Sequence, residues 1–364
     1  MLTIRQIAFW PVDLPLTDPF VVATGSRLAA ENVFVRVTLS GGVQGYGEAA
    51  PFPEVSGEDR LACIGSLKQL STAVLGQSAD RFEEIGRLMR EIAPAQPAAR
   101  CALECAIIDA LCRVRHMPMW ALWGAADVRE RETDITIPIC DINTTIRLAR
   151  HWHAKGFRLF KMKVGRDVHE DVRRLRAVHD ALPDIAFIGD GNQGFSQAEC
   201  IAFAEAVKGF GGRLVLLEQP VIREDLDGLA RIRSETKVPV AADESVRSIA
   251  DAEKVITRKA ADYINIKIMK TGMVEARSIA DYTLANGLKL MIGGMVETRL
   301  AMGCSFSLAL GMKGFEVLDL DTPLLLQEDP VNGGFVYRGP RLIPSQGEGL
   351  GMSLLPGPLT TILA

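Results

Sequence analysis

From about residue 133 the chain alternates short apolar runs with amphipathic ones, and this alternation limits the possible folds more than any other feature. The apolar runs are ITIPIC (135–140), RLFKMKV (158–164), IAFIGD (185–190), RLVLLEQ (213–219), VPVAAD (238–243), DYINIKI (262–268), LKLMIGG (288–294) and FEVLDLD (315–321). Each is too short for a typical helix and is bounded by turn residues, so each predicts a strand. Segments with helical spacing, such as HEDVRRLRAVHDAL and QAECIAFAEAVKGF, lie between them. Strands that are apolar on both faces belong in a parallel sheet covered by helices. Eight such units predict an α/β fold built as a (β/α)8-type barrel. Only LLLQEDP follows the eighth strand, so the barrel is expected to be modified, with a degenerate last helix.

The flanks follow other patterns. Residues 1–125 open with LTIRQIAFWPVDL, ENVFVRVTLS and VQGYGEAA, strand-like runs broken by Pro and Gly-Gly. Helical patterns follow at 58–92 and 97–115, which predicts an α+β capping domain. The barrel is assigned to 126–324. The Gly- and Pro-rich tail, 325–364, is expected to return to the capping domain and complete it.

The chain is 48% hydrophobic and carries a net charge of −4 with both signs mixed along it. That balance gives no electrostatic ground for binding nucleic acid or an anionic membrane surface. No run is long and apolar enough to span a bilayer, and MLTIRQIAFWPVDL lacks the pattern of a signal peptide, so a cytoplasmic location is expected. None of the seven cysteines forms a CxxC pair. Cys101, Cys105 and Cys112 recur at helical spacing and read as small core residues in a reducing compartment.

RLFKMKVG raises a sharper question. Strand side chains alternate, so Lys161 and Lys163 share one face of a strand that should be buried. The other strands carry charge at the corresponding place: Asp190, Glu218, Asp243, Lys267, and then Asp319 with Asp321. The charges recur once per βα unit, at the C-terminal strand ends where parallel barrels build their active sites. Core packing does not account for such a series, because unpaired buried charge is costly.

Asp190, Glu218 and Asp243 end consecutive strands, and neighbouring strands lie about 4.8 Å apart. Three hard oxygen donors at that place predict a Mg²⁺ site. No Cys and no well-placed His joins them, which disfavours Zn²⁺. Taken singly, each acid could equally cap the following helix. Lys163 and Lys267 fall on strands two and six, opposite each other in an eight-strand ring. Two opposed amines suit removal of a proton from one face of a carbon and its return to the other. A lysine base needs a lowered pKa, which the nearby Lys161 and the divalent cation would favour. The competing reading is a buried salt-bridge network.

Together KMK, DGNQ, EQP, DES and NIK resemble the motifs of the enolase superfamily, muconate-lactonising subgroup, over essentially the whole chain. Lysine bases with Mg²⁺ are that superfamily's chemistry. The resemblance implies Lys163 and Lys267 as the acid–base pair, Lys161 beside the substrate carboxylate, and the three acids as ligands of Mg²⁺. VLDLDTPLLL resembles the dipeptide epimerase signature, in which Asp319 and Asp321 would bind the substrate ammonium group. The activity implied is epimerisation of a dipeptide at the α-carbon of its C-terminal residue, through an enediolate. The alternatives on the same scaffold are an N-acylamino acid racemase, an o-succinylbenzoate synthase or a cycloisomerase. FVVATGSRLAAEN and GEAAPFPEVSGED resemble the two loops that cover the substrate in this family. Arg27 stands where L-Ala-D/L-Glu epimerases place an arginine for a side-chain carboxylate. Thr136, Asn192, Met295 and Glu297 complete the expected substrate contacts. The expected partners are a small dipeptide substrate and further copies of the chain in a homo-oligomer.

Overall fold

The computed structural model describes residues 2–354. Its first three strands form an antiparallel sheet: β1 (Ile4–Val22), β2 (Gly25–Leu39) and β3 (Gln44–Ala49). The sheet lies against α3 (Pro97–Val114), whose residues from Pro97 to Cys112 are all buried. Glycines in GGVQGYGEAA allow this close approach. A Cβ at Gly47 would sit 2.0 Å from the Ala102 carbonyl oxygen, and one at Gly45 would sit 2.2 Å from the Ala110 nitrogen. Six of the cysteines are buried, Cys140 is partly so, and all seven are free thiols.

Two details of this region differ from the sequence expectation. The helical stretch at 58–92 is two helices, α1 (Arg60–Val74) and α2 (Phe82–Ile92). Gly76, at φ +80°, turns the chain between them so that Ser78 bridges Thr3 of the sheet. FVVATGSRLAAEN is no irregular loop. It is the end of the long β1–β2 hairpin, in which Phe20 pairs with Arg27 and Val22 with Gly25.

The eight expected strands form one curled parallel sheet in chain order: β4 (Ile135–Ile137), β5 (Leu159–Lys163), β6 (Ala186–Asp190), β7 (Arg213–Glu218), β8 (Val240–Ala242), β9 (Tyr263–Ile266), β10 (Lys289–Ile292) and β11 (Phe315–Leu318). Strands one and eight meet at a seam of single bonds. Asp134 N donates to the Leu318 carbonyl at 3.1 Å, and Leu320 N donates to Thr133 Oγ1 at 2.9 Å. Ile188, Leu216, Ala241 and Met291 fill the lower interior, so the barrel is a packed core.

Helices return the chain between strands: α4 (Ile142–Ala154), α5 (Val168–Ala181), α6 (Gln197–Gly209), α7 (Leu226–Thr236), α8 (Ile249–Thr257), α9 (Met273–Ala285) and α10 (Arg299–Gly311). After β11 there is only a 3-10 turn, Thr322–Leu325, containing Pro323. The barrel therefore lacks an eighth helix among the described residues.

The tail doubles back. Met352–Leu354 pairs with Val331–Gly333, and Arg341–Ile343 pairs with Arg131–Glu132. Leu350 N donates to Asp109 of α3 at 2.7 Å, which ties the tail to the first domain. The last part of the expected tail, residues 355–364, lies outside the described residues. No helix among the described residues is long and apolar enough to cross a membrane.

Candidate active site

The charged strand ends converge at the mouth of the barrel, beneath the β1–β2 hairpin. The helices that follow β6, β7 and β8 take their side-chain caps from Ser196, Asp225 and Ser248. Asp190, Glu218 and Asp243 are thus free of the capping role and point inward instead. All three are fully buried, as are Lys161, Lys163 and Lys267 to within 5%.

The two lysines of RLFKMKVG share a face and make different contacts. Lys161 Nζ lies 2.6 Å from Asp319 Oδ2, 2.9 Å from Glu218 Oε2 and 3.0 Å from Asp190 Oδ2. Lys163 Nζ lies 2.6 Å from Asp190 Oδ2 and faces the Phe20 ring. Lys267 Nζ lies 2.7 Å from Asp243 Oδ2. Lys163 and Lys267 line one pocket from opposite parts of the sheet, with Lys161, Asp319, Thr136 and Asn192 beside them. A larger groove lies next to it, lined by Arg147, His151, Trp152 and Lys155. None of the charged strand ends lines that groove.

Charge balance sets the protonation states. Burial alone would raise Asp190, but Lys161, Lys163 and Lys267 outweigh it and hold the carboxyl at about 2. Burial likewise opposes ionisation of Asp243, and Lys267 with Lys270 pull it far below the usual range. Burial pushes Glu218 up to about 8, helped by the neighbouring Asp190 charge. Burial would lower Lys161 and Lys267, yet the surrounding carboxylates raise both. At Lys267 the Asp243 carboxylate, at ion-pair distance, favours the ammonium form.

The residues fit a hard divalent cation. Three buried carboxylates stand at adjacent strand ends, and Asp190 and Glu218 are in register. Glu218 Oε2 and Asp243 Oδ2 meet lysine ammonium groups at 2.9 Å and 2.7 Å. These acids are spread around the lysines rather than gathered. Among the described residues, Asp134, Asp319 and Asp321 each bring one oxygen within 4.8 Å of the others.

Several supporting residues had no prior assignment. Lys270 Nζ donates to Asp243 Oδ1 at 2.6 Å, and Asn265 Nδ2 donates to Glu218 Oε1 at 2.8 Å. Their positions in NIKIMK, one strand step before Lys267 and one helical turn after it, are the only signal the sequence offered. Gln219 Oε1 accepts from Asp243 N at 2.9 Å and Ser245 N at 3.1 Å. Gln219, Asn192 and Gln193 have φ of 32°, 40° and 69°, a conformation that favours glycine. Such strain at strand ends is held by the surrounding bonds.

The expected substrate contacts divide into two groups. Thr136, Asn192, Met295 and Asp319 line the pocket. Asp321 lies behind it, fully buried, with Oδ2 accepting from Thr136 N at 2.6 Å. Neither acid pairs with Arg299, which binds Asp329 at 2.8 Å. Glu297 and Arg27 do not line this pocket. Glu297 turns away from the pocket and accepts from Met295 N at 2.7 Å. Burial, with Glu48 close by, pushes its carboxyl to about 8. Arg27 stacks on Phe52, 4.8 Å from the ring centre, in a separate recess with Glu31 and Asn32. Besides the charged and polar groups, the pocket is lined by Phe20, Val22, Phe52, Val55 and Val296, with Thr24 and Thr322.

The chain matches two family descriptions: the mandelate racemase/muconate lactonizing enzyme N-terminal domain over residues 4–124, and the enolase C-terminal domain-like family over 144–356. It is 40% identical to an aromatic dipeptide epimerase of Herpetosiphon aurantiacus, covering 97% of this chain and 99% of that one. It is 37% identical to a hydrophobic dipeptide epimerase of Citrifermentans bemidjiense, over 93% and 94%. An N-succinyl-L-Arg/Lys racemase of Bacillus cereus is 31% identical, over 96% and 95%. The solved dipeptide epimerase of Enterococcus faecalis, complexed with Mg and L-Leu-L-Tyr, superimposes with a TM-score of 0.92 at 30% identity, over 97% and 100%. Relatives of this kind are racemases and epimerases, which are isomerases. With both family descriptions matched and the barrel and its charged strand ends in place, the chain belongs to the mandelate racemase/muconate lactonizing enzyme family of the enolase superfamily.

Proposed function

We propose that this enzyme epimerises a dipeptide at the α-carbon of its C-terminal residue, by 1,1-proton transfer between Lys163 and Lys267. The observation that carries this reading is the pair of buried lysines lining one pocket from strands two and six. One amine removes the α-proton and the other, in its ammonium form, returns a proton to the opposite face. Asp190, Glu218 and Asp243 would hold Mg²⁺, which when bound supplies positive charge against the substrate carboxylate. Lys161 adds its own charge on that side and steadies the enediolate. Asp319 and Asp321 supply the negative end of the site, where the substrate ammonium binds.

The pocket wall favours an apolar side chain on the C-terminal residue. Phe20, Val22, Phe52, Val55, Met295 and Val296 offer no partner for a carboxylate. Arg27 is held in another recess. This agrees with the names of the aromatic and hydrophobic dipeptide epimerases among the relatives. The second reading is an N-acylamino acid racemase, favoured only by the N-succinyl relative. The acids at 319 and 321 argue against it, because an N-acylated substrate brings no cation to them.

A dipeptide library incubated with enzyme and Mg²⁺ in D₂O tests the reading by mass spectrometry. Dipeptides with apolar C-terminal residues should gain one deuterium. Exchange only into N-acylated amino acids would support the racemase instead.

A further inference from the structure

Asp134 lies just before β4, two residues before Thr136 and so on the same inward face. It is fully buried, and neither carboxyl oxygen has a hydrogen-bond partner. One of its oxygens lies within 4.8 Å of oxygens on both Asp319 and Asp321. Asp321 has its own orphan: Thr136 N occupies Oδ2, while Oδ1 accepts nothing. The charged groups acting on Asp134 are Asp319, Asp321, Glu218 and Lys161. Lys161 is already shared among Asp190, Glu218 and Asp319. Like charges this close in a buried site repel strongly. Three ionised acids sharing one ammonium would therefore repel. A single proton placed between Asp134 and Asp321 lowers the repulsion and pairs one Asp134 oxygen with Asp321 Oδ1.

We propose that Asp134 is a positioning residue for recognition of the substrate ammonium: its carboxyl group keeps a proton and donates it to Asp321 Oδ1, fixing the Asp321 carboxylate behind the pocket. Burial and the adjacent acids push the Asp134 carboxyl well up, in line with its being the protonated partner. Asp134 itself does not line the pocket. The inference rests on the reading that Asp319 and Asp321 meet an ammonium group.

The test uses the Mg²⁺-loaded enzyme with L-Ala-L-Phe as substrate and N-acetyl-L-Ala-L-Phe as competitive inhibitor. Asp134→Asn keeps a donor toward Asp321, and its KM should stay within about 3-fold of wild type. Asp134→Leu removes the donor. Loss of one hydrogen bond to a charged group corresponds to roughly a 10- to 100-fold rise in KM for the free-amine dipeptide. The inhibition constant of the N-acetyl compound should not change. A merely structural role would weaken both ligands alike, and that result overturns the proposal. So does an Asn variant as impaired as the Leu variant. Should Asp134→Leu fail to fold, the Asn variant decides alone, since a KM raised more than about 10-fold contradicts a donor role. Asp321→Asn separates the two levels. If it weakens the free-amine dipeptide while the Asp134 variants do not, only the present inference falls. If it has no effect, the ammonium reading falls with it.

Discussion

Lys161 and Lys163 are two residues apart on one strand, yet their surroundings separate them. Lys161 is encircled by Asp190, Glu218 and Asp319, which hold it as an ammonium ion. Lys163 has Asp190 on one side and the Phe20 ring on the other. Under the proposed mechanism it is Lys163, less enclosed by acids than Lys161, that works with Lys267 across the pocket. Lys163→Ala and Lys267→Ala should each lower kcat by about 10³-fold or more, with circular dichroism unchanged. Solvent deuterium incorporation is the direct check, and turnover persisting without either amine would defeat the two-base mechanism. Lys270 offers a second test. It is buried and gives Asp243 Oδ1 its hydrogen bond. Lys270→Met should destabilise the fold by about 3 kcal/mol in urea unfolding, because it strips one partner from a buried charge. The lysines and acids were legible in the sequence because barrel strands expose one inward charge per unit. Lys270 was not, because its position on the turn after β9 obeys no such period.

At the level of elements, glycine and helix ends shape the site. Gly293 follows β10 and faces Asp319. A Cβ there would sit 3.0 Å from Asp319 Oδ2 and 3.2 Å from Asn265 Nδ2. Gly293→Ala should therefore raise the KM for dipeptides by displacing Asp319, with little change in melting temperature. An unchanged KM would show that Asp319 does not depend on this space. Glu48 of β3 joins the two domains. It accepts from Asn32 Nδ2 at 2.7 Å, Thr298 N at 3.0 Å, Thr298 Oγ1 at 2.6 Å and Ala301 N at 3.2 Å. It thus caps α10 from another sheet, meeting N–H groups that the helix cannot satisfy itself. Glu48→Ala leaves these donors unpaired and should cost about 2 kcal/mol or more in denaturant unfolding, and Glu48→Gln less. GGVQGYGEAA gave no sign of this link, since the two partners lie 250 residues apart in the chain.

Across the whole molecule, several buried glutamates favour their protonated form. Burial raises Glu48, Glu58 and Glu104 from 4.5 to about 7, and Glu297 to about 8, against their hydrogen bonds. In each case the folded state binds its proton more tightly than the unfolded chain. The stability this contributes is complete below about pH 4.5 and is lost as pH rises through 7 to 8. The melting temperature of wild type should therefore fall between pH 6 and 8. In Glu104→Gln, which cannot ionise, the slope should be shallower. An identical slope in the variant would mean that Glu104 does not carry its share of the effect.

Sequence alone determined the architecture of the barrel and the list of charged strand ends. Both follow from periodicity, and periodicity is written locally: a two-residue repeat fixes which side chains face inward, and a repeat of one βα unit fixes which strand end carries charge. The missing eighth helix was equally local, since Pro323 and the short run after β11 leave no room for one. Only the tertiary structure decided what each inward residue touches. It placed Glu297 against Met295 N and held Arg27 against Phe52, and it set Phe20, Val22, Phe52, Val55 and Val296 along the pocket of the lysines. It also brought Asp134 to Asp319 and Asp321, across a seam joining the first barrel strand to the last. These contacts depend on closing the ring and on laying the β1–β2 hairpin over its mouth. Both bring together residues far apart in the chain, and no local pattern encodes that distance.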